Sequence, residues 1–408
     1  MKNKSNRHLW ALSLAVIMAG TALPISTIFS RQDGREKASA SSEASITREE
    51  LNLNEDWRFA LNLEESLSPQ KIDFDTSSWA DVNLPHDFSI NQEFTQSGEA
   101  ESGYLLGGTG WYRKTLTLEE AEQGQETVIL NFDGSYKDTY VYVNGEYVGE
   151  NHYGYNNFAF DITDKLVYDG QTNNVIAVKV DHQTPSSRWY SGSGIYRDVT
   201  LIKTNKVHFA HNATAVTTPE ISLGNGKVDA QVTLQNDSQK AKEVMVLVSV
   251  LDSAGKNVSA IASKTVTIGK NSSITERLST LVDNPTLWSI DNPYRYTLHT
   301  EIVYNGQIVD KQDTEFGFRY YSFNVGTGFN LNGKNVKLNG VCMHHDQGAL
   351  GAVANYDAIY RQMSIMKSMG ANAIRVTHNP ASKTLIEICD KLGLLVIEEF
   401  FDGWSTAK

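Results

Sequence analysis

Three groups of ionisable side chains lie near the end of this 408-residue sequence, each directly after or within the end of an apolar segment. Their members are His344, His345 and Asp346, then Arg375 and His378, then Glu398, Glu399 and Asp402. Imidazole and carboxylate groups can move protons, hold a metal ion or hydrogen-bond the hydroxyl groups of a ligand. Whether the three groups form one site depends on the elements that position them.

The spacing of the residues within each group argues against some of these roles. Adjacent residues in an extended strand point to opposite faces, so His344 and His345 cannot readily share one metal ion. Glu398 and Glu399 alternate in the same way and therefore do not form a cooperating pair of carboxylates. For the group of His344, His345 and Asp346, we favour hydrogen bonding to the hydroxyl groups of a sugar.

Strands that alternate with helices are predicted around the three groups. A first helix is predicted from apolar residues at helical spacing followed by a glycine: Ile359, Met363, Met366, Met369 and Gly370. A second helix is predicted in the same way from Leu385, Ile388, Leu392 and Gly393. The resulting βαβαβ order indicates a parallel sheet, open or closed into a barrel, whose strands end at one rim. No Gly-x-Gly-x-x-Gly motif follows these strands, so a dinucleotide-binding fold has no support.

Two regions of antiparallel β-structure are predicted before this segment. From 46 to 205, short alternating runs such as "DTYVYVNGEYVGE", with Asn144-Gly145 at a hairpin turn, indicate a jelly roll or similar β-sandwich. From 206 to 319, roughly seven short strands have the size of an immunoglobulin-like sandwich, which we interpret as a spacer.

The composition excludes one class of partner and favours another. The 48 acidic and 36 basic side chains give a net charge of −12, which repels phosphate backbones and argues against nucleic acid. The 7 Trp and 18 Tyr residues suit stacking on sugar rings, although most aromatic side chains serve the core. Only two cysteines, Cys342 and Cys389, are present, which argues against a disulfide scaffold, and both are predicted to be buried.

The first 40 residues have the pattern of an export signal. Three basic residues precede an uncharged run from 9 to 29, and Ala38-Ser39-Ala40 is a candidate cleavage site. The alternative is a retained membrane anchor, because the run is long enough to span a bilayer. We predict a signal peptide, a secreted or cell-surface protein, and membrane contact only through this segment.

Four segments of the sequence resemble a known family. They are "NGKNVKLNGVCMHHDQGALG", "ANAIRVTHNPASKTLIEICDKLGLLVIEE", "SSRWYSGSGIYRDV" and "PTLWSIDNPYRYTL", and they resemble glycoside hydrolase family 2, most closely its secreted β-galactosidases. The resemblance implies a mainly β multidomain protein. Its parts would be a signal peptide at 1–40, a jelly-roll sugar-binding domain at 46–205, an immunoglobulin-like β-sandwich at 206–319, and at 320–408 the first three βα units of a TIM (β/α)8 barrel.

The resemblance also implies roles for residues at the strand ends. His344 and His378 resemble the histidines that contact the sugar in the central subsite. Arg375 resembles the arginine that orients the nucleophile, and Glu399 resembles a strand-end acid deep in the same pocket. Two positions depart from the pattern, since Asn379 stands where many members have tyrosine and Val376 where a small or polar residue is usual.

Four further residues are expected at the sugar pocket. Asp346 and Asp402 are expected on its rim. Arg188 and Trp189 resemble the jelly-roll loop that leans over the barrel mouth. The implied partner is a β-galactoside. The resemblance implies no certain cofactor, although it is compatible with a structural Mg²⁺ or Na⁺ ion. It does not indicate an oligomeric state.

Both catalytic carboxylates of the family are missing from the expected site. The family's acid/base glutamate lies in an Asn-Glu pair after a fourth barrel strand and its nucleophile after a seventh, whereas no Asn-Glu pair follows Arg319. We expect the parent enzyme to hydrolyse terminal β-galactosides with retention and the 408-residue chain alone to be inactive. Three βα units are also expected to leave the apolar faces around Ile374, Leu395 and Val396 uncovered.

Other interpretations stay open at this point. One is a non-catalytic carbohydrate-binding or adhesion protein that works through its β-domains. Another is complementation by a separate chain that supplies the missing strands. Glucuronidase or mannosidase specificity within the same family is also open.

Overall fold

The computed structural model describes residues 47–119, 126–222 and 224–401. The predicted signal peptide and Asp402 lie outside the described residues. Within those three ranges no helix is long and apolar enough to cross a membrane.

The first part of the chain is a β-sandwich of two antiparallel sheets. Its strands are β1 (Glu49–Asn52), β2 (Trp57–Leu61), β3 (Ala80–Val82), β4 (Gly108–Leu116), β5 (Glu126–Phe132), β6 (Asp138–Val143), β7 (Glu146–Asn151), β8 (Phe158–Asp161), β9 (Asn174–His182) and β10 (Val199–Asn205). One sheet has the order β1-β10-β5-β8 and the other β3-β2-β4-β9-β6-β7. Short 3-10 helices lie at Glu65–Leu67, Ser89–Asn91, Ala100–Ser102 and Thr163–Lys165.

Strand β6 illustrates why this part folds as a sandwich. Val141 and Val143 are fully buried between the sheets, while Tyr140 and Tyr142 alternate with them on the outer face. The strand then turns back at Asn144 and Gly145, whose φ angles of 52° and 81° fit the predicted hairpin turn.

The second part of the chain is also a sandwich of two antiparallel sheets. Its strands are β11 (Val207–Thr217), β12 (Ile221–Ser222), β13 (Asn225–Asn236), β14 (Lys242–Leu251), β15 (Ala262–Ile268), β16 (Ser272–Asp283), β17 (Tyr296–Tyr304) and β18 (Gln307–Phe316). Strand β13 pairs with β11, β12 and β16, and the facing sheet has the order β15-β14-β17-β18. Buried residues such as Phe209, Val246 and Leu298 fill the space between them.

The third part starts with a three-stranded antiparallel sheet and continues as a parallel one. The first sheet contains β19 (Tyr321–Asn324), β20 (Gly328–Leu331) and β21 (Lys334–Asn335). The parallel sheet has the order β22 (Gly340–Met343), β23 (Ala373–Val376) and β24 (Leu395–Ile397). A 3-10 helix at Gly348–Leu350 and helix α1 (Tyr356–Ser368) connect β22 to β23, and helix α2 (Lys383–Leu392) connects β23 to β24. The predicted βαβαβ unit is confirmed.

Both helices begin and end where their sequences favour it. Asn355 and Ser382 are N-caps, and their side chains accept hydrogen bonds from backbone N–H groups in the first turn. Helix α2 ends at Gly393, which adopts the left-handed conformation expected of a C-terminal glycine. Met369, the last apolar residue at the predicted spacing, is the C-cap residue of α1 and is 69% exposed.

The structure corrects two expectations about burial in this third part. Ile374 is fully buried and Leu395 is 7% exposed. Ile374 packs under α1 and α2, and Leu395 packs beside Trp288, so both are covered. Val396 packs against the same core as Ile374 and is half-buried. Cys342 is exposed rather than buried, because it alternates with residues of β22 that face the helices, whereas Cys389 is buried as expected.

Candidate active site

The parallel strands bring the predicted polar groups to one rim. His344 is the first residue after β22, His378 follows β23 by two positions, and Glu399 follows β24 by two positions. Arg375 lies within β23, opposite Cys342 of β22 and Ile397 of β24. Parallel strands end on the same side of their sheet, so residues that are distant in the sequence meet there.

Glu399 is held by the side chains of Arg375 and His378. The Arg375 Nε donates to Glu399 Oε1 at 2.6 Å, and Arg375 Nη2 contacts the same oxygen. The Nδ1–H group of His378 donates to Glu399 Oε2 at 2.6 Å. The hydrogen bond from His378 lowers the pKa of Glu399 and Arg375 adds to the lowering, against a smaller opposing effect of burial. Glu399 is therefore a carboxylate with both oxygens engaged.

Arg375 is itself fixed by a second contact. Its Nη1 lies 3.6 Å from the Sγ atom of Cys342. This contact and the Glu399 carboxylate raise the pKa of Arg375, so the guanidinium remains charged.

Trp189 of the jelly roll covers the histidines of the rim. Its ring stacks on His344 with centroids 4.9 Å apart and meets His378 edge-on at 5.4 Å. The two imidazoles are themselves 5.6 Å apart. Burial, followed by the proximity of His378, lowers the pKa of His344. Trp189 is only 9% exposed, so the groups that the arrangement offers are the two imidazoles and the ion pair beneath it, which suit a ligand with hydroxyl groups.

His345 points away from this cluster. Its Nε2 lies 3.0 Å from the carbonyl oxygen of Ser191, and its ring packs against Tyr155 and Tyr196. Burial lowers the pKa of His345 to about 4. The predicted alternation of His344 and His345 is therefore confirmed, and in the described part of the chain no three His, Cys, Asp or Glu residues could hold a metal ion.

The remaining predicted residues do not join the cluster in the same way. Glu398 faces away from Glu399 and accepts a hydrogen bond of 2.7 Å from the backbone N–H of Ala381. Arg188 and Asp346 are exposed, and their roles in ligand binding stay predictions. The role of Asp402, which the structure does not describe, also stays a prediction.

Sequence reasoning missed two residues that join the jelly roll to the parallel strands. Arg197 is buried, and its Nη2 donates to the carbonyl oxygen of Pro380 at 2.9 Å. The Tyr153 hydroxyl lies 2.9 Å from Asn379 Oδ1 and 2.7 Å from the Phe400 carbonyl oxygen. Arg197 belongs to the quoted segment "SSRWYSGSGIYRDV", so the motif marked its neighbourhood but not its partner.

Comparison with protein families gives three matches, all to the same family. The sugar binding domain of glycosyl hydrolases family 2 matches residues 51–205. A second model of the family, described as glycosyl hydrolases family 2, matches 208–319, and its TIM barrel domain matches 325–403.

Similar proteins include members from Bacteroides and Formosa. The chain is 40% identical over 375 residues to "Beta-galactosidase BoGH2A" of Bacteroides ovatus, an alignment that covers 91% of this chain and 43% of that protein. It is 37% identical to a "Putative beta-glucuronidase" of Formosa agariphila, with 88% of this chain and 33% of that protein covered. A crystal structure of a glycosyl hydrolase family 2 member from Bacteroides cellulosilyticus superposes with a TM-score of 0.83 at 36% identity, over 88% of this chain and 47% of that one.

The chain thus spans less than half the length of these relatives. Within that span, the matched domains follow in the order jelly roll, immunoglobulin-like sandwich and barrel strands, and the ion pair and histidines lie at the carboxyl ends of those strands. The chain belongs to glycosyl hydrolases family 2.

Proposed function

We propose that the whole enzyme to which these three domains belong is a retaining glycosidase that acts on terminal β-galactosides. The observation that carries this proposal is the cluster in which Trp189 covers His344 and His378 beside the Glu399–Arg375 ion pair. A hexose ring with several hydroxyl groups needs hydrogen-bond donors and acceptors, and the two imidazoles, the carboxylate and the guanidinium are groups of these kinds.

The charge of the cluster favours a galactoside over a glucuronide. Similar proteins carry both names, β-galactosidase and β-glucuronidase. A glucuronide brings a carboxylate that a cation would have to bind. Arg375 already pairs with Glu399. The sequence has a net charge of −12, which repels the carboxylate of a glucuronide but not a neutral sugar.

We propose that residues 1–408 by themselves bind the sugar without hydrolysing it. Hydrolysis with retention needs two carboxyl groups about 5 to 5.5 Å apart, one of them able to give up a proton. The pKa of Glu399 is lowered and both its oxygens are engaged, which disfavours it as an acid. Glu398 points elsewhere and is tied to the backbone of Ala381. We further propose that the protein is exported, on the basis of residues 1–40.

A binding and turnover experiment on the 408-residue chain tests this function. We expect methyl β-galactoside to bind in a ligand-observed NMR titration, more tightly than methyl β-glucuronide, and p-nitrophenyl β-galactoside to be hydrolysed no faster than in buffer. Trp189→Ala should abolish the binding, whereas Tyr147→Ala, at a tyrosine 51% exposed on the jelly roll, should not.

Each part of the proposal has its own contrary result. Tighter binding of the glucuronide would overturn the galactoside preference. Turnover above the buffer rate would show that the chain contains a working carboxylate pair. Unchanged binding by Trp189→Ala would favour a carbohydrate-binding protein that uses another surface of its β-domains.

A further inference from the structure

A buried carboxylate lies between the jelly roll and the loop that follows β22. Asp87 is 1% exposed and accepts four hydrogen bonds. Its Oδ1 accepts from the backbone N–H groups of Ser89 at 3.0 Å and Ser193 at 2.9 Å. Its Oδ2 accepts from the Tyr190 hydroxyl at 2.5 Å and from the backbone N–H of Ala352 at 2.9 Å. Three of these donors belong to the jelly roll and the fourth belongs to the βα segment.

We propose that Asp87 is a positioning residue that fastens the Trp189 loop to the loop after β22 and thereby holds Trp189 stacked on His344. Tyr190 and Ser193 lie in the same loop as Trp189, and Ala352 lies eight residues after His344. One carboxylate thus fixes the backbone on both sides of the aromatic stack. Its effect on sugar binding rests on the proposed function, whereas the fastening itself does not.

Two glycines show how closely the backbone surrounds this carboxylate. Gly192 and Gly351 have φ angles of 70° and 64°. A Cβ atom would lie 2.6 Å from Asp87 Oδ2 at Gly192 and 2.2 Å from it at Gly351. Backbone from both segments therefore approaches so closely that neither position has room for a side chain, and water has little room to replace the carboxylate.

The jelly-roll side of the contact has support of its own. The Ser193 hydroxyl lies 2.6 Å from His182 Nδ1 and 2.6 Å from the Ser89 hydroxyl. His182 Nε2 also lies 2.6 Å from the Ser186 hydroxyl, so His182 holds both ends of the loop. The loop after β22 has two further contacts with the jelly roll, since His345 Nε2 lies 3.0 Å from the Ser191 carbonyl oxygen and the Ala354 N–H donates to the Tyr196 carbonyl oxygen at 2.9 Å. Loss of the Oδ2 acceptor should therefore loosen the backbone around Ala352 while the jelly roll stays folded.

The substitution Asp87→Asn is designed to remove only the acceptor oxygen Oδ2, which contacts the Ala352 N–H. The Asn carbonyl oxygen can still accept from Ser89 and Ser193, but its NH2 group would face the Ala352 N–H, which can only donate, whereas the Tyr190 hydroxyl can turn to accept. The matched control is Asp310→Asn, at a fully buried carboxylate of the second sandwich that pairs with Arg48.

Amide hydrogen exchange and sugar titration on the 408-residue chain separate positioning from stability. In Asp87→Asn we expect exchange at Ala352 to accelerate about tenfold while Ser193 stays protected. The dissociation constant for methyl β-galactoside should rise about fivefold, because the binding-competent arrangement is less populated. Asp310→Asn should lower the unfolding midpoint without either effect.

The proposal is overturned if Asp87→Asn and Asp310→Asn lower the unfolding midpoint alike and both leave Ala352 exchange unchanged. Tyr190→Phe provides a second variant, since it removes one donor and should accelerate the same amide less strongly. If the unsubstituted chain binds no galactoside, the proposed function fails, while exchange at Ala352 still decides whether Asp87 fastens the loop.

Discussion

Two neighbouring glutamates at the end of β24 have different roles because adjacent residues point in different directions. Glu398 accepts from a backbone N–H group before α2, and so helps to shape the loop. Glu399 faces the rim, where Arg375 and His378 occupy both of its oxygens. The charge of Glu399 orients these two side chains, and the loop contact of Glu398 needs only an acceptor oxygen.

We therefore predict different outcomes for matched substitutions of the two glutamates. Glu399→Gln should weaken methyl β-galactoside binding about tenfold at pH 7, because Arg375 and His378 lose their anionic partner. Glu398→Gln keeps an acceptor for Ala381 and should bind like the unsubstituted chain. Equal effects of the two substitutions would contradict this assignment of roles.

The pH dependence of the same binding follows from the direction of the Glu399 pKa shift. The folded-state pKa is lowered, so the contribution of the carboxylate is complete above the ordinary glutamate value of 4.5 and is lost only as the pH falls below it. Titrations between pH 7 and 5 should therefore show no loss attributable to Glu399. A decline over that range that Glu399→Gln abolishes would contradict the lowered pKa.

At the scale of elements, the ends of both helices dock on the second sandwich, which is thus more than the spacer we expected. The Lys367 ammonium at the end of α1 donates to the carbonyl oxygens of Ile290 at 2.6 Å and Gly393 at 2.9 Å. Trp288 Nε1 donates to the carbonyl oxygen of Asp390 in α2 at 3.1 Å. The loop at 288–290 therefore supports the helices that cover the parallel strands.

The glycines that follow the two helices provide a test of this docking. A Cβ atom at Gly393 would lie 2.5 Å from the Ile290 carbonyl oxygen, whereas at Gly370 it would meet nothing within 4 Å. Both glycines have positive φ angles, so either alanine substitution should cost about 1 to 2 kcal/mol of conformational strain. Gly393→Ala should lower the free energy of unfolding by at least about 1 kcal/mol more than Gly370→Ala does, because of the contact with Ile290. Amide exchange in α2 measures this difference. Equal costs would mean that the contact with Ile290 yields easily.

At the scale of the whole molecule, a polar contact also joins the jelly roll to the second sandwich. Asp237 Oδ2 accepts hydrogen bonds of 2.8 Å from the Thr127 hydroxyl of β5 and from His208 Nε2 of β11. Burial opposes ionisation, but the hydrogen bond from His208 and those from Gln235 and Thr127 lower the pKa of Asp237 to about 2. The junction between the sandwiches therefore depends on an ionised carboxylate.

This junction should weaken in acid. The ordinary pKa of 3.8 applies to the unfolded chain, so the stabilisation is complete above pH 3.8 and is lost as the pH falls towards about 2. The shift corresponds to about 1 to 2 kcal/mol after allowance for solvent screening. The difference in the free energy of unfolding between pH 7 and pH 2.5, measured with urea, should be smaller in Asp237→Asn than in Asp164→Asn by about two-thirds of that amount, because pH 2.5 is still above the folded-state pKa. Asp164 is an exposed carboxylate that lines a surface cavity together with Asp237. An equal loss in both variants would contradict the role of Asp237.

The sequence by itself determined the local structure and the identity of the rim residues. Apolar periodicity predicted α1, α2 and the three parallel strands, and the period of two in strands predicted that His344 and His345 point apart. The glycines and N-cap residues fixed where the helices begin and end. These features depend on neighbours within a few positions, which a sequence displays directly.

Tertiary structure alone decided what covers and fastens the rim. The stack of Trp189 on His344 and the contact of Arg197 with Pro380 join residues more than 150 positions apart. Asp87 and Ala352 are separated by 265 positions. Burial of Ile374 and Leu395 likewise follows from the docking of helices and of the loop at Trp288. Such contacts have no period in the sequence, because they arise only when separately folded segments pack against one another.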